Sequence, residues 1–306
     1  MPQQVSYSWH TRIFNQIKKA YHADKLAHAL VFHVPSQWSI EPLLCDICAL
    51  LLNTRVQLSH YHPDIHILHN NHDQIKLDTL KKTLENIYLT SATAQAKIVL
   101  LSPLEALKIA AANALLKTLE APPKNTYFIF TSYQLNWVRP TLISRAQVIT
   151  VDLSNQDKQH YLQQSYQMSE VACQKALRIS RGILSVIDRI KKDRDFWILR
   201  RDLFAAIAHK EKPLEVSIAA SKHYQDDLYW LTSFIIDAYY LAVGLSVQKL
   251  ANVDYIELLQ HFIKQHSMIK IYRYYQQLLM LKDYHGRHLN INKQLALETL
   301  LLNFTL

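Results

Sequence analysis

The sequence predicts an α/β domain with a mostly parallel five-stranded sheet, followed by an all-helical region, and three observations carry that prediction. Five short runs rich in Val, Ile and aromatics alternate with helical stretches in the first half. Beyond about residue 152 no further run of that quality occurs, and helical periodicity takes over. The 306 residues, 49% of them hydrophobic, are enough for two or three domains with real cores.

The strand candidates are HALVFHV at 28–34, DIHIL at 64–68, AKIVLL at 96–101, TYFIFTS at 126–132 and AQVITV at 146–151. Helices are expected between them at 40–53, 77–88 and 104–120. The second begins after Asp73, and the last is stopped by Pro122 and Pro123, which cannot continue a helix. Strands separated by helices pair in parallel, because each crossover lays a helix on a sheet face. This is an α/β nucleotide-fold layout.

Residues 155–192 read as two or three short helices broken near Ser180 and Gly182. Longer helices are expected at 195–209, 213–243, 252–282 and 293–303. Tyrosine is concentrated there, at 229, 239, 240, 255, 272, 274, 275 and 284, which fits both an aromatic helix core and a partner surface.

Composition narrows the chemistry. The chain holds three glycines, Gly182, Gly244 and Gly286, so a glycine-rich phosphate loop is absent from the first 181 residues. The formal charge of +9 suits contact with an acidic polymer and equally suits a generic basic face. The opening MPQQVSYSWHTRIFNQ has no apolar signal-peptide core, later apolar runs are too short or interrupted to span a bilayer, and the chain is expected to be cytoplasmic. Cys45, Cys48 and Cys173 are too few for a disulfide framework or a four-cysteine zinc site. Cys45 and Cys48 form a CxxC, but inside the apolar run LLCDICALLL they are read as buried core thiols on one helical face. His60 and His62 are read as turn and surface residues beside Pro63.

After a first strand ending at Val34, a phosphate loop would supply backbone N–H groups, a lysine and a Ser or Thr hydroxyl for magnesium. The chain offers VPSQWSIEP: Pro35 and Pro42 lack donors, Trp38 adds bulk, and the next lysine is Lys76. An acidic residue is also required after AKIVLL to manage magnesium. Ser102 and Pro103 follow instead, with Glu105 displaced. Both requirements fail, so the outline of an ATPase is expected to lack hydrolysis. LISRA at 142–146 is retained. An arginine at the rim of an α/β domain is either an ordinary surface charge or a finger reaching a neighbouring subunit's γ-phosphate, a role that needs no ATP site of its own.

The chain resembles the delta prime subunits of the bacterial DNA polymerase III clamp loader, a family related to AAA+ ATPases. The resemblance runs in order through HPDIHIL (62–68), IKLDTLKKTLENI (75–87), AKIVLLSPLEALKIAAANALLKTLEAPPKNTYFIFTS (96–132), PTLISRA (140–146), RISRGILSVI (178–187) and NINKQLALETLLLNF (290–304). The AANALLKTLE helix followed by the PP pair is its most specific part. It implies a RecA-like AAA+ domain at 1–151 with a degenerate phosphate loop, a small helical lid-like domain at 152–193 and a helical collar at 194–306. It further implies a scaffold subunit without catalytic activity of its own, within a DNA-directed DNA polymerase holoenzyme, a nucleotidyltransferase complex. The expected partners are ATPase subunits of gamma/tau type and a delta subunit in a heteropentameric ring. The sliding clamp and primer-template DNA would be met through that ring, with no cofactor, metal or membrane.

Arg145 would match the arginine of the family's Ser-Arg-Cys motif and act in trans as an arginine finger, with Ser144 as a supporting hydrogen-bonding residue. Ala146 stands in place of the usual cysteine, a change expected to affect packing more than chemistry. The zinc module common in the family is missing, since NTRVQLSHY at 53–61 bridges its place directly. In the AANALLKTLE helix, Leu115, Leu116 and Leu119 are apolar at helical spacing and Asn113, Lys117 and Glu120 form the polar face, which needs no catalytic role. The alternatives are an ATP-hydrolysing clamp-loader subunit, which needs the missing lysine and acid, the delta subunit, which is not expected to keep both the AANALLKTLE and SR motifs, and a standalone basic DNA-binding module.

Overall fold

The computed structural model describes residues 8–69, 75, 77–88, 96–192, 195–209, 224–286, 289 and 291–305. Two compact units divide the chain, residues 1–165 and 166–306.

In the first unit the strands β1 (Ala29–His33), β2 (Ile65–His69), β3 (Lys97–Ser102), β4 (Thr126–Ser132) and β5 (Gln147–Thr150) form one sheet in the order β2-β3-β4-β1-β5. Every pairing is parallel, with Val31 opposite Phe130 on one side and Val148 on the other. The sequence reading of the five strands holds to within about two residues at each end. β3 is buried at all six positions, and Val99, Leu101, Phe128 and Phe130 form the core of one sheet face. Continuous apolar runs, rather than alternation, are what a parallel sheet covered on both faces requires.

The helices of this unit are α1 (Ser8–His22), α2 (Glu41–Leu52), α3 (Leu77–Ile87), α4 (Ile109–Glu120), the single turn α5 (Pro140–Ile143) and α6 (Asn155–Tyr166). α1 did not figure in the sequence reading, although Trp9, Ile13 and Ile17 are buried at intervals of four on the face that packs against α2. The helix expected at 104–120 is broken: Leu104–Ala106 form a short 3-10 turn, Leu107 and Lys108 are extended, and α4 starts at Ile109. Leu107 bridges to Ile75, and that pairing competes with helix at the break. The start of α3 after Asp73 lies outside the described residues.

Among the described residues of the second unit every regular element is helical, the α-helices being α7 (Glu170–Ile179), α8 (Leu184–Lys192), α9 (Asp195–His209), α10 (Tyr224–Ala242), α11 (Ile256–Gln265), α12 (Met268–Gly286) and α13 (Lys293–Thr305). Residues 213–223 of the helix expected at 213–243 lie outside the described residues. The helix expected at 252–282 is two helices, broken where His266 is extended, with its ring nitrogens 3.0 Å from the carbonyl oxygens of Phe262 and Phe304. A ring N–H there donates to a carbonyl that a helix end leaves open. The core is aromatic, with Phe204, Trp230, Phe234, Phe262, Tyr274 and Phe304 all buried. Tyrosine therefore serves the core more than the surface: Tyr229, Tyr240, Tyr255, Tyr275 and Tyr284 pack partly buried against it, while Tyr239 and Tyr272 are exposed. Among the described residues no helix is long and apolar enough to cross a membrane.

Candidate functional site

The order β4-β1-β5 puts a topological switch point beside β1, and in open parallel sheets the crevice outside the strand C-termini at such a point is where ligands bind. Here the loop after β1 carries the protein's own groups into that region. Beyond β1 the Val34 N–H continues the ladder to the Ser132 carbonyl at 2.7 Å, and the Gln37 N–H turns back to the Val34 carbonyl at 2.9 Å. Trp38 is buried at 2% exposure and meets Tyr161 of α6 edge-on, ring centroids 5.2 Å apart. α2 then starts with Glu41 and Pro42 in its first turn. A helix N-terminus favours an anion, and here the Glu41 carboxylate already stands there.

Glu105 belongs to the same edge in another role. Its Oε1 accepts the backbone N–H groups of Tyr133 at 2.7 Å and Gln134 at 3.1 Å. Burial pushes its carboxyl above the usual range, against the opposing pull of its own amide and those of Tyr133 and Gln134. The side chain that arrives three residues after β3 thus ties down the loop after β4. Ser102 of β3 and Thr131 of β4 share a hydroxyl–hydroxyl bond of 2.6 Å beside it. Sequence reasoning missed both arrangements, since neither the loop contact nor the strand register shows in spacing alone.

Next to this edge lies a cleft of about 340 Å³ lined by Trp9, His10, Ser39, Glu41, Cys45 and Tyr161, among others. His10 Nε2 stands 3.0 Å from Asp46 Oδ2 at its wall. Cys48 is buried as expected and burial pushes its thiol up to about 12, but Cys45 is only partly buried, because α1 leaves that side of α2 open to the cleft. His60 is exposed, and the half-buried His62 accepts the Asp64 N–H at Nδ1, 3.1 Å. Among the described residues no group of three or more His, Cys, Asp or Glu side chains is placed to hold a metal ion.

Arg145 and Ser144 lie at the end of α5, where Pro140 starts the turn and Arg139 is extended ahead of it. Ser144 Oγ donates to the Thr141 carbonyl at 3.1 Å. Arg145 Nη1 donates to the same carbonyl at 3.0 Å and to Ser144 Oγ at 3.4 Å, while Nη2 donates to Glu120 Oε1 at 2.6 Å. The Arg145 side chain remains 35% exposed and that of Glu120 55%. The sequence reading brought Ser144 and Arg145 together; Glu120, 25 residues earlier, it left on a generic polar face.

A five-stranded parallel α/β domain with an arginine at its rim, followed by a helical region, is the fold of clamp-loader-like, AAA+-related proteins. Family models place the chain among them: the one described as DNA polymerase III, delta subunit matches residues 9–155, and the one described as DNA polymerase III, delta subunit, C terminal matches residues 194–305. The chain belongs, at family level, to the AAA+-related clamp-loader delta′ family. It is similar to DNA polymerase III subunit delta′ of Buchnera aphidicola subsp. Acyrthosiphon pisum, 25% identical with 84% of each chain covered. The subunit delta′ of Escherichia coli is 24% identical, with 97% of this chain and 94% of that one covered. Among solved structures, a DNA polymerase III gamma subunit-related protein from Thermotoga maritima is similar at a TM-score of 0.42 and 15% identity, over 97% of this chain and 98% of that one.

Proposed function

We propose that the chain is a delta′-type scaffold subunit of the DNA polymerase III clamp loader that does not hydrolyse ATP and supplies Arg145 in trans to the ATP of a neighbouring gamma/tau-type subunit. The observation that carries this reading is one contrast within a single domain. The loop after β1 is filled by buried Trp38 and followed by Glu41, while the Arg145 guanidinium stays partly open to solvent. A fixed, always charged guanidinium suits the charge that develops on a transferring phosphoryl group. In this reading residues 1–151 are the AAA+ domain, 152–193 a lid-like domain and 194–306 the collar through which the chain joins a ring with a delta subunit. That ring acts on the sliding clamp and primer-template DNA.

The test is a loader reconstituted with wild-type chain, with Arg145→Ala and with the chain omitted, followed by DNA- and clamp-stimulated ATP hydrolysis. A loss with Arg145→Ala in a normally assembled ring is the expected result, on the order of 10-fold or more at the one affected interface. Full hydrolysis with the substitution would remove the finger role. Nucleotide binding by the isolated chain would favour an ATPase subunit, and tight DNA binding by the isolated chain with a steep salt dependence would favour a DNA-binding module.

A further inference from the structure

Arg145 stands on a single helical turn, and a long side chain in that position has many rotamers to lose before it can meet a phosphate. Two separate parts of the chain hold it. Its own turn supplies the Thr141 carbonyl to Nη1, and the last turn of α4 supplies the Glu120 carboxylate to Nη2. α4 is anchored in the sheet core by Ala111, Ala112, Leu115 and Leu119, all buried, so Glu120 ties Arg145 to that core through a second element besides the α5 turn, whose own anchor is the buried Leu142. The placement of Glu120 runs against local electrostatics, because a helix C-terminus carries partial negative charge and favours cations. The guanidinium opposite supplies the compensating charge.

We propose that Glu120 is a positioning residue for the trans arginine: it fixes the orientation of the Arg145 guanidinium before the neighbouring subunit's triphosphate arrives, and it links that guanidinium to the core helix α4. This rests on the reading of Arg145 as the finger. Both partners are partly exposed, so their mutual attraction in water is modest. A polyphosphate oxygen can therefore add to or replace the contact. The carboxylate contributes a preset fork, and less rotamer freedom is left to lose when the phosphate is met.

The experiment uses the reconstituted loader with Glu120→Ala, Glu120→Gln, Arg145→Ala and the double variant Glu120→Ala/Arg145→Ala, reading kcat and KM for stimulated ATP hydrolysis together with ring assembly by size-exclusion chromatography. Glu120→Ala is expected to lower kcat on the order of 3- to 10-fold with KM nearly unchanged, a fraction of the rotamer freedom of a long side chain. Glu120→Gln falls between it and wild type, since an amide oxygen still accepts the Nη2 bond. The double variant is no slower than Arg145→Ala alone, which separates action through Arg145 from a general structural role. If Arg145→Ala is impaired and both Glu120 variants are not, the positioning role is wrong and the finger reading stands. Faster hydrolysis with Glu120→Ala, or a further loss in the double variant, would also overturn it. If Arg145→Ala itself is unimpaired, the finger reading fails and this inference with it.

Discussion

Trp38 meets Tyr161 edge-on, ring planes 82° apart, and the contact ties the loop after the first strand to α6. The indole is 2% exposed and belongs to the interior of the domain as much as any strand residue. Trp38→Ala is expected to cost about 3–5 kcal/mol in urea unfolding, the range for removing a large buried aromatic. It is not expected to create nucleotide binding, because the loop still lacks a lysine and Glu41 still stands at the start of α2. Titration of the variant with a fluorescent ATP analogue checks this: micromolar binding would mean that bulk alone, not missing donors, keeps nucleotide out.

Arg200 is fully buried in the second unit; both of its Nη groups are paired, while Nε has no hydrogen-bond partner among the described residues. Nη1 and Nη2 grip Asp254 at 2.6 and 2.8 Å, Nη2 also reaches Asn252 Oδ1 at 2.8 Å, and the guanidinium lies 4.6 Å from the ring of Tyr255 and 5.1 Å from that of Trp230. Neighbouring Arg181 Nη2 holds buried Asp237 at 2.7 Å, and Asp237 in turn accepts the Asn252 N–H. Arg200→Ala should cost about 1–3 kcal/mol because it strands the buried Asn252 Oδ1 while the exposed Asp254 carboxylate returns to water, and Arg200→Lys should recover little of that, lacking the planar fork. Burial raises the Asp254 carboxyl, but the hydrogen bond and charge of Arg200 outweigh it and hold the group below its usual value. A lowered acid stabilises the fold above its unfolded pKa, near 3.8, and that contribution is lost as the pH falls through the folded value. The stability gap between wild type and Arg200→Met should therefore narrow as the pH falls toward 2; a constant gap down to pH 2 would contradict the pairing.

The fold was legible where the chain is regular. Parallel strands buried on both faces leave uninterrupted Val, Ile and Phe runs, so β3 and β4 could be read almost to their ends. α1 is equally legible in Trp9, Ile13 and Ile17, spaced four apart, a signal that a search of this segment for a signal-peptide core alone passes over. The break at His266 has no glycine or proline to mark it. Its one local sign is Ser267, whose Oγ accepts the Lys270 N–H at 3.4 Å in the manner of a helix cap. At the site, missing donors in the loop after β1 were visible as absences, whereas the use of Glu105 and Glu120 was not. Each pairs with a segment 25 or more residues away, and only the folded register brings them together.

Asp227 is the clearest source of pH dependence in the second unit. It lies in the first turn of α10 at 1% exposure, and its Oδ2 has no hydrogen-bond partner among the described residues. Burial and, after it, the charge of Asp226 push its carboxyl up to about 8, while Arg189, which is engaged with Asp226, pulls it only partly back. The sign follows from which state binds the proton. Between about pH 4 and 8 the unfolded chain releases it and the folded chain keeps it, so this group's contribution to stability is greatest below pH 4, declines as the pH rises, and levels off above 8. Asp227→Asn keeps a neutral side chain of the same shape at every pH. It should remove that decline and stabilise the protein at pH 8 on the order of 1–3 kcal/mol, the cost of a buried group without its partner. Urea unfolding of both proteins from pH 4 to 9 measures the two slopes. Equal slopes would mean that Asp227 ionises in the folded state at ordinary pH, and that the buried carboxylate is compensated there.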